Sequence, residues 1–298
     1  MIALLCIMLM QPPRAQSPSV FQAESRLVVV DVTVHGNGGA IVPNLDKKAF
    51  TVYEDGKRQP ISIFMGNNVP VSVGIVIDNS GSMRDRRAKV EAAALAFARA
   101  SNPLDEMFVV NFADTARVDV PITADVTALE AGIARAAAIG GTALRDAIDL
   151  AERYLVQHAT RERKVLLVIT DGNDNASTVS ADRVRKEAAR DDIAIYAIGL
   201  PQQNPSAAAH ARRELDDLTE STGGLARHVA TIDEADETAV ELAREIRQQY
   251  TVAYSPVNAT LDGSFRKIRV VVKAGERVAV RTRAGYFATP NARKGRER

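Results

Sequence analysis

The sequence predicts a doubly wound α/β fold: a mostly parallel sheet with helices on both faces, inserted in a small β-sandwich made by the N- and C-terminal flanks. Three observations lead there. The centre of the chain alternates strand-like apolar runs with helical stretches, the pattern of βαβ units. The two flanks carry β-branched runs and turn dipeptides without helical periodicity. The 298 residues are 46% hydrophobic and 25% charged, so the chain has a globular composition and the length for one or two domains.

Charge and cysteine content narrow the function. There are 38 basic and 37 acidic residues, a net charge of +1, which gives no case for a nucleic-acid partner. The one cysteine, Cys6, rules out an intrachain disulfide, and no Cys/His zinc spacing exists.

The apolar run Ile2–Met10 is too short to span a bilayer and suits the core of a signal peptide, expected over residues 1–18. Pro12, Pro13 and Ala15 fit a cleavage region, although no Lys or Arg precedes the run. The alternative is a buried N-terminal strand. Export to the periplasm, the cell surface or the medium is the expectation, with no integral membrane segment after cleavage. Residues 22–67 form the N-terminal β-rich flank: RLVVVDVTVH, then strands on either side of Asp55-Gly56.

Residues 69–248 form the α/β domain. VSVGIVID is a nearly continuous apolar run, as expected for a strand buried on both faces. AKVEAAALAFARA is helical, MFVVNFA and ARVDVPI are strands, and ALEAGIARAAAI is helical. In TALRDAIDLAERYLVQ, Leu144, Ile148, Ala151 and Leu155 recur at helical spacing. KVLLVIT and IAIYAIGL are strands around the helix ADRVRKEAARDD. RRELDDLTESTGG is a helix ended by a glycine pair, GLARHVA a short strand and ADETAVELAREIRQQ the last helix. Residues 249–288 return to β character in YTVAYSP, FRKIRVVVK and RVAVRTRAGYFA, read as three strands that pair with the N-terminal flank. Residues 289–298 are a solvated basic tail.

Ligands of doubly wound sheets bind at the carboxyl ends of the strands. There the sequence places Asp78-Asn79-Ser80-Gly81-Ser82 after the first parallel strand, Asp171-Gly172 after KVLLVIT, and Gly140-Gly141-Thr142 at a helix start. Two carboxylates and three hydroxyls are hard oxygen donors, suited to Mg²⁺, Mn²⁺ or Ca²⁺ rather than zinc or copper. The charges of Asp78 and Asp171 match one dication, and the hydroxyls fill further positions without neutralising it. Helix capping by Asp78 and Thr142 is the plain alternative. Asp174 supports its loop, binds a second ion or is a solvated carboxylate. Asp146, one turn beyond Thr142, orients the site or is a surface charge. His35, His158, His210 and His228 have no catalytic motif context and read as surface or satisfied residues.

The series D-N-S-G-S, G-G-T and T-D-G resembles the metal-ion-dependent adhesion site of von Willebrand factor type A domains, and with its flanks the chain is similar to the bacterial VWFA-related group. The resemblance implies a Rossmann-like fold over roughly 69–248. It implies that Ser80 and Ser82 bind the metal directly, Thr142 directly or through water, and Asp78 and Asp171 largely through bridging waters. It also implies a metal-dependent adhesion module whose partner supplies a carboxylate to the ion. A scaffold or regulatory subunit of a cell-envelope assembly is the alternative. An enzyme is not expected: a metal-dependent phosphoryl-transfer centre of D-x-D type would need an acid where Ser80 stands, and neither a phosphate-binding loop nor a G-x-S-x-G elbow is present.

Overall fold

The computed structural model describes residues 27–133, 140–275 and 277–289. The expected signal peptide, the tail beyond residue 289 and the second half of the expected helix ALEAGIARAAAI fall outside them.

The N-terminal flank forms β1 (Val28–His35), β2 (Phe50–Glu54), β3 (Lys57–Gln59) and β4 (Ile61–Met65). The central body follows with β5 (Val71–Asp78), α1 (Arg87–Ala100), β6 (Glu106–Phe112), β7 (Ala116–Thr123) and α2 (Val126–Ile133). It continues with α3 (Leu144–His158), β8 (Arg163–Thr170), α4 (Ala181–Arg190), β9 (Ile193–Gly199) and α5 (Pro205–Thr222). It ends with β10 (Ala226–His228) and α6 (Ala235–Arg247). The C-terminal flank is β11 (Tyr250–Tyr254), β12 (Phe265–Val272), β13 (Ala279–Arg281) and β14 (Gly285–Phe287).

The central sheet has the order β10-β9-β8-β5-β6-β7, parallel except for β7, which runs antiparallel to β6. Every residue of β5 and β8 is buried, which explains the apolar runs that fill most of both strands. On one face, Val90 and Phe97 of α1 and Leu242 and Ile246 of α6 pack with Ile75 and Leu167. On the other, Leu144, Ile148 and Leu155 of α3, Val184 of α4 and Leu215 of α5 pack with Val76, Phe108 and Val168. The apolar stripe read from α3 is thus its core face. α5 ends at Gly223, whose φ of 85° is the left-handed conformation of a helix C-cap.

The flanks meet in two antiparallel sheets, β13-β1-β11-β4 and β14-β12-β2-β3, around Val30, Val52, Tyr250, Val252, Tyr254 and Val270. The sandwich docks on the amino ends of the parallel strands through buried polar groups. Arg163, at the start of β8, pairs with Asp31 at 3.1 Å, and Gln249 donates to Thr33 Oγ1 at 2.9 Å and to the Tyr196 hydroxyl at 2.7 Å.

Three readings need correction. RVAVRTRAGYFA is two strands in different sheets, because Arg283 leaves the ladder to pair with Asp192 and bond Val29 O, and the chain re-enters at Gly285. There a Cβ would stand 2.1 Å from Arg266 O, so only glycine fits. α3 begins at Leu144, so Gly140-Gly141-Thr142 precedes the helix instead of opening it. The N-terminal flank also contains short 3-10 turns at Asn37–Gly39 and Lys47–Ala49. Among the described residues, no helix is long and apolar enough to cross a membrane.

Candidate metal centre

Parallel pairing of β5 with β8 continues to Ile77 opposite Ile169, so Asp78 and Thr170 end up side by side. The Thr170 hydroxyl donates to Asp78 Oδ2 at 2.6 Å and accepts from Gly172 N at 2.9 Å. Ser80 N donates to the other Asp78 oxygen at 2.8 Å. Both oxygens of a carboxylate that is 1% exposed are therefore held in place. Ser80 Oγ and Ser82 Oγ lie 3.0 Å apart, with Ser80 buried and Ser82 exposed.

The Gly140–Thr142 segment is stitched to this loop and to its other neighbours by backbone bonds. Gly81 N donates to Gly140 O at 3.0 Å, Gly141 N to Asp114 Oδ1 at 2.6 Å and Ala143 N to Ala113 O at 2.7 Å. Asn175 grips Thr142 from both sides. Its Oδ1 accepts from Thr142 N at 2.9 Å and its N donates to Thr142 O at 3.0 Å. At Gly140 φ is +100°, and an added Cβ would stand 2.1 Å from Asp114 Oδ2. The path that presents Thr142 thus depends on the absence of a side chain there.

The five expected ligands fall on three adjacent loops at one sheet edge. Hydrogen bonds join Asp78, Ser80 and Ser82 directly. Asp171, 6% exposed, lies close enough for its charge to raise the Asp78 pKa, and Thr142 reaches the same loop through Gly140. Burial pushes the Asp78 carboxyl up to about 6, against the pull of the Thr170 and Ser80 hydrogen bonds. Neither Asp78 nor Thr142 caps a helix by its side chain: Thr142 precedes the N-cap of α3, Ala143.

A hard cation fits these residues. Two buried carboxylates repel one another, and among the described residues neither has a basic side chain within ion-pair distance. No cluster of three or more His, Cys, Asp or Glu in the described residues is fit for a metal, so an ion here must draw on hydroxyls as well as acids.

Asp174 is buried. It accepts from Arg145 N at 2.9 Å and Ser177 Oγ at 2.7 Å, which overturns the solvated alternative and makes it a support of its loop. Asp146 likewise holds the loop after β8, through Thr178 N at 3.0 Å and Val179 N at 2.8 Å. Sequence reasoning missed Thr170, Asp114, Asn175 and Gln202, whose Nε2 donates to Asp171 O. It also missed a chain from buried Asn79 and Asn111 to half-buried Asp119, each link 2.8 Å.

Residues 73–173 match the von Willebrand factor type A domain family. None of the curated proteins compared with the chain matches it. Among solved structures, the chain is similar to a von Willebrand factor type A protein from Catenulispora acidiphila, with 16% identity and a TM-score of 0.52 over 89% of this chain and 75% of that one. It is also similar to proximal thread matrix protein 1 from the mussel byssus, solved with a zinc-occupied MIDAS motif. There the identity is 17% and the TM-score 0.52, over 65% of this chain and 49% of the mussel protein. At such identities the likeness is one of fold.

Proposed function

We propose that this chain, whose residues 73–173 match the von Willebrand factor type A domain family, is a metal-ion-dependent protein-binding module, and not an enzyme. The observation that carries the reading is the pair of buried acids, Asp78 and Asp171, beside three hydroxyls and without a basic partner among the described residues. Ser80, Ser82 and Thr142 would hold the ion with their hydroxyls, and Asp78 and Asp171 would balance its charge. The bound ion would supply a Lewis-acid position for an acidic group of a partner protein.

The chain's own residues do the remaining work. Thr170 and Ser80 N orient Asp78, and Asn175 and Asp114 set the loop that carries Thr142. Mg²⁺ is the first ion to try, with Mn²⁺ and Ca²⁺ next. The zinc in the mussel protein adds Zn²⁺ to the panel. We place the protein outside the cytoplasm on the strength of its apolar N-terminal run.

The test is capture from an extract of the native host on immobilised protein. Proteins retained in Mg²⁺, released by EDTA and not retained by Asp78→Asn support the reading. An identical retained set in all three conditions overturns it.

A further inference from the structure

Four arginines follow the loops of the candidate metal centre along the chain, Arg84, Arg86 and Arg87 after Ser82 and Arg145 after Thr142, and three of them are already engaged. Arg86 donates to Pro201 O, Arg87 pairs with Glu91 at 2.6 Å, and Arg145 pairs with Asp174 at 3.1 Å and Glu214 at 3.8 Å. Arg84 differs. It stands two residues beyond Ser82, is exposed, and among the described residues its side chain makes no hydrogen bond or ion pair. Its base is nevertheless fixed. Met83 is fully buried in the core, Met83 N donates to Ser80 O at 3.0 Å, and Arg86 N donates to Met83 O at 2.9 Å. A permanently charged, planar fork thus projects from a rigid turn of the loop that carries Ser80 and Ser82.

We infer that Arg84 receives a second carboxylate of the partner, so that the site reads a diacidic segment rather than a lone acid. This rests on the proposed metal-dependent capture of an acidic group. A guanidinium binds a carboxylate through two parallel hydrogen bonds, which a lysine could not reproduce. Among the described residues, the Arg84 side chain has no bond to break on engaging it. Asp85, exposed and adjacent, opposes a second acid and limits the gain. An exposed pair of this kind yields a preference of about two- to fivefold.

The experiment uses the full chain and two synthetic peptides, one with a single Asp among glycines and one with two Asp separated by a glycine. Dissociation constants are measured in Mg²⁺ and in EDTA for wild type, Arg84→Gln and Asp85→Asn. Wild type should bind both peptides only with Mg²⁺ and favour the diacidic one about two- to fivefold. Arg84→Gln should bring the ratio to one, and Asp85→Asn should raise it. A ratio unchanged in Arg84→Gln overturns this inference while leaving the metal-dependent capture standing. If neither peptide binds wild type in Mg²⁺, the capture itself is overturned and the inference falls with it.

Discussion

Thr170 donates its hydroxyl proton to Asp78 Oδ2 at 2.6 Å across 92 positions of sequence, and this contact fastens the ends of the two central strands together. Because the same hydroxyl accepts from Gly172 N, it also shapes the turn that carries Asp171. Thr170→Val keeps the shape and removes both bonds. Leaving a buried carboxylate oxygen and an amide unpaired costs about 1–3 kcal/mol. Urea denaturation in EDTA should show a loss of that size, and Mg²⁺ affinity should fall with it.

Asp78→Asn separates stability from ligand binding. The amide oxygen can still accept from Ser80 N or Thr170, while a buried charge without a cationic partner disappears. In EDTA the variant should unfold no earlier than wild type. In saturating Mg²⁺, at a hundred times the Kd, wild type should gain about 2.7 kcal/mol and the variant nothing. Thermal unfolding in both buffers reads the difference.

Gly140→Ala tests the loop beneath Thr142. With φ at +100° and Asp114 Oδ2 only 2.1 Å from the added methyl, the substitution must move the loop or Asp114. Backbone strain of this kind costs about 1–3 kcal/mol. Denaturant unfolding should register the loss, and metal affinity should weaken because Thr142 shifts.

Glu152 makes stability depend on pH away from the metal centre. It is buried on α3, neither carboxylate oxygen has a hydrogen-bond partner among the described residues, and burial, together with the charges of Glu187 and Asp149, pushes its pKa from 4.5 up to about 9. The folded protein holds a proton there that the unfolded chain releases near pH 4.5. The contribution is therefore complete below pH 4.5 and is lost as pH rises towards 9. Glu152→Gln should be the more stable protein at pH 9, read as a higher Tm, with the gap closing towards pH 4.5.

Much of the architecture was legible because burial leaves a plain trace. VSVGIVID and KVLLVIT are nearly continuous apolar runs and became the two central strands, and the spacing of Leu144, Ile148, Ala151 and Leu155 marked the core face of α3. The site loops were legible because strand ends and glycines flank them. What escaped depends on register and tertiary contact. Thr170 was in plain view in Thr-Asp-Gly, yet its role exists only once β5 and β8 are aligned. Asn175 and Asp114 lie in loops whose partners are more than twenty-five residues away. The break between β13 and β14 was hidden because continuous β-branched sequence does not reveal the Arg283–Asp192 pair that ends the strand.

The most direct measurement is calorimetric titration of the metal-free chain with Mg²⁺, Mn²⁺, Ca²⁺ and Zn²⁺, alongside Asp78→Asn, Ser80→Ala and Thr142→Val. A single site per chain for at least one of these ions, absent in Asp78→Asn and at least tenfold weaker in the two hydroxyl variants, is the expected result. No saturable binding by wild type, or binding that all three variants retain at full strength, would contradict a cation held between Asp78, Ser80, Ser82, Thr142 and Asp171.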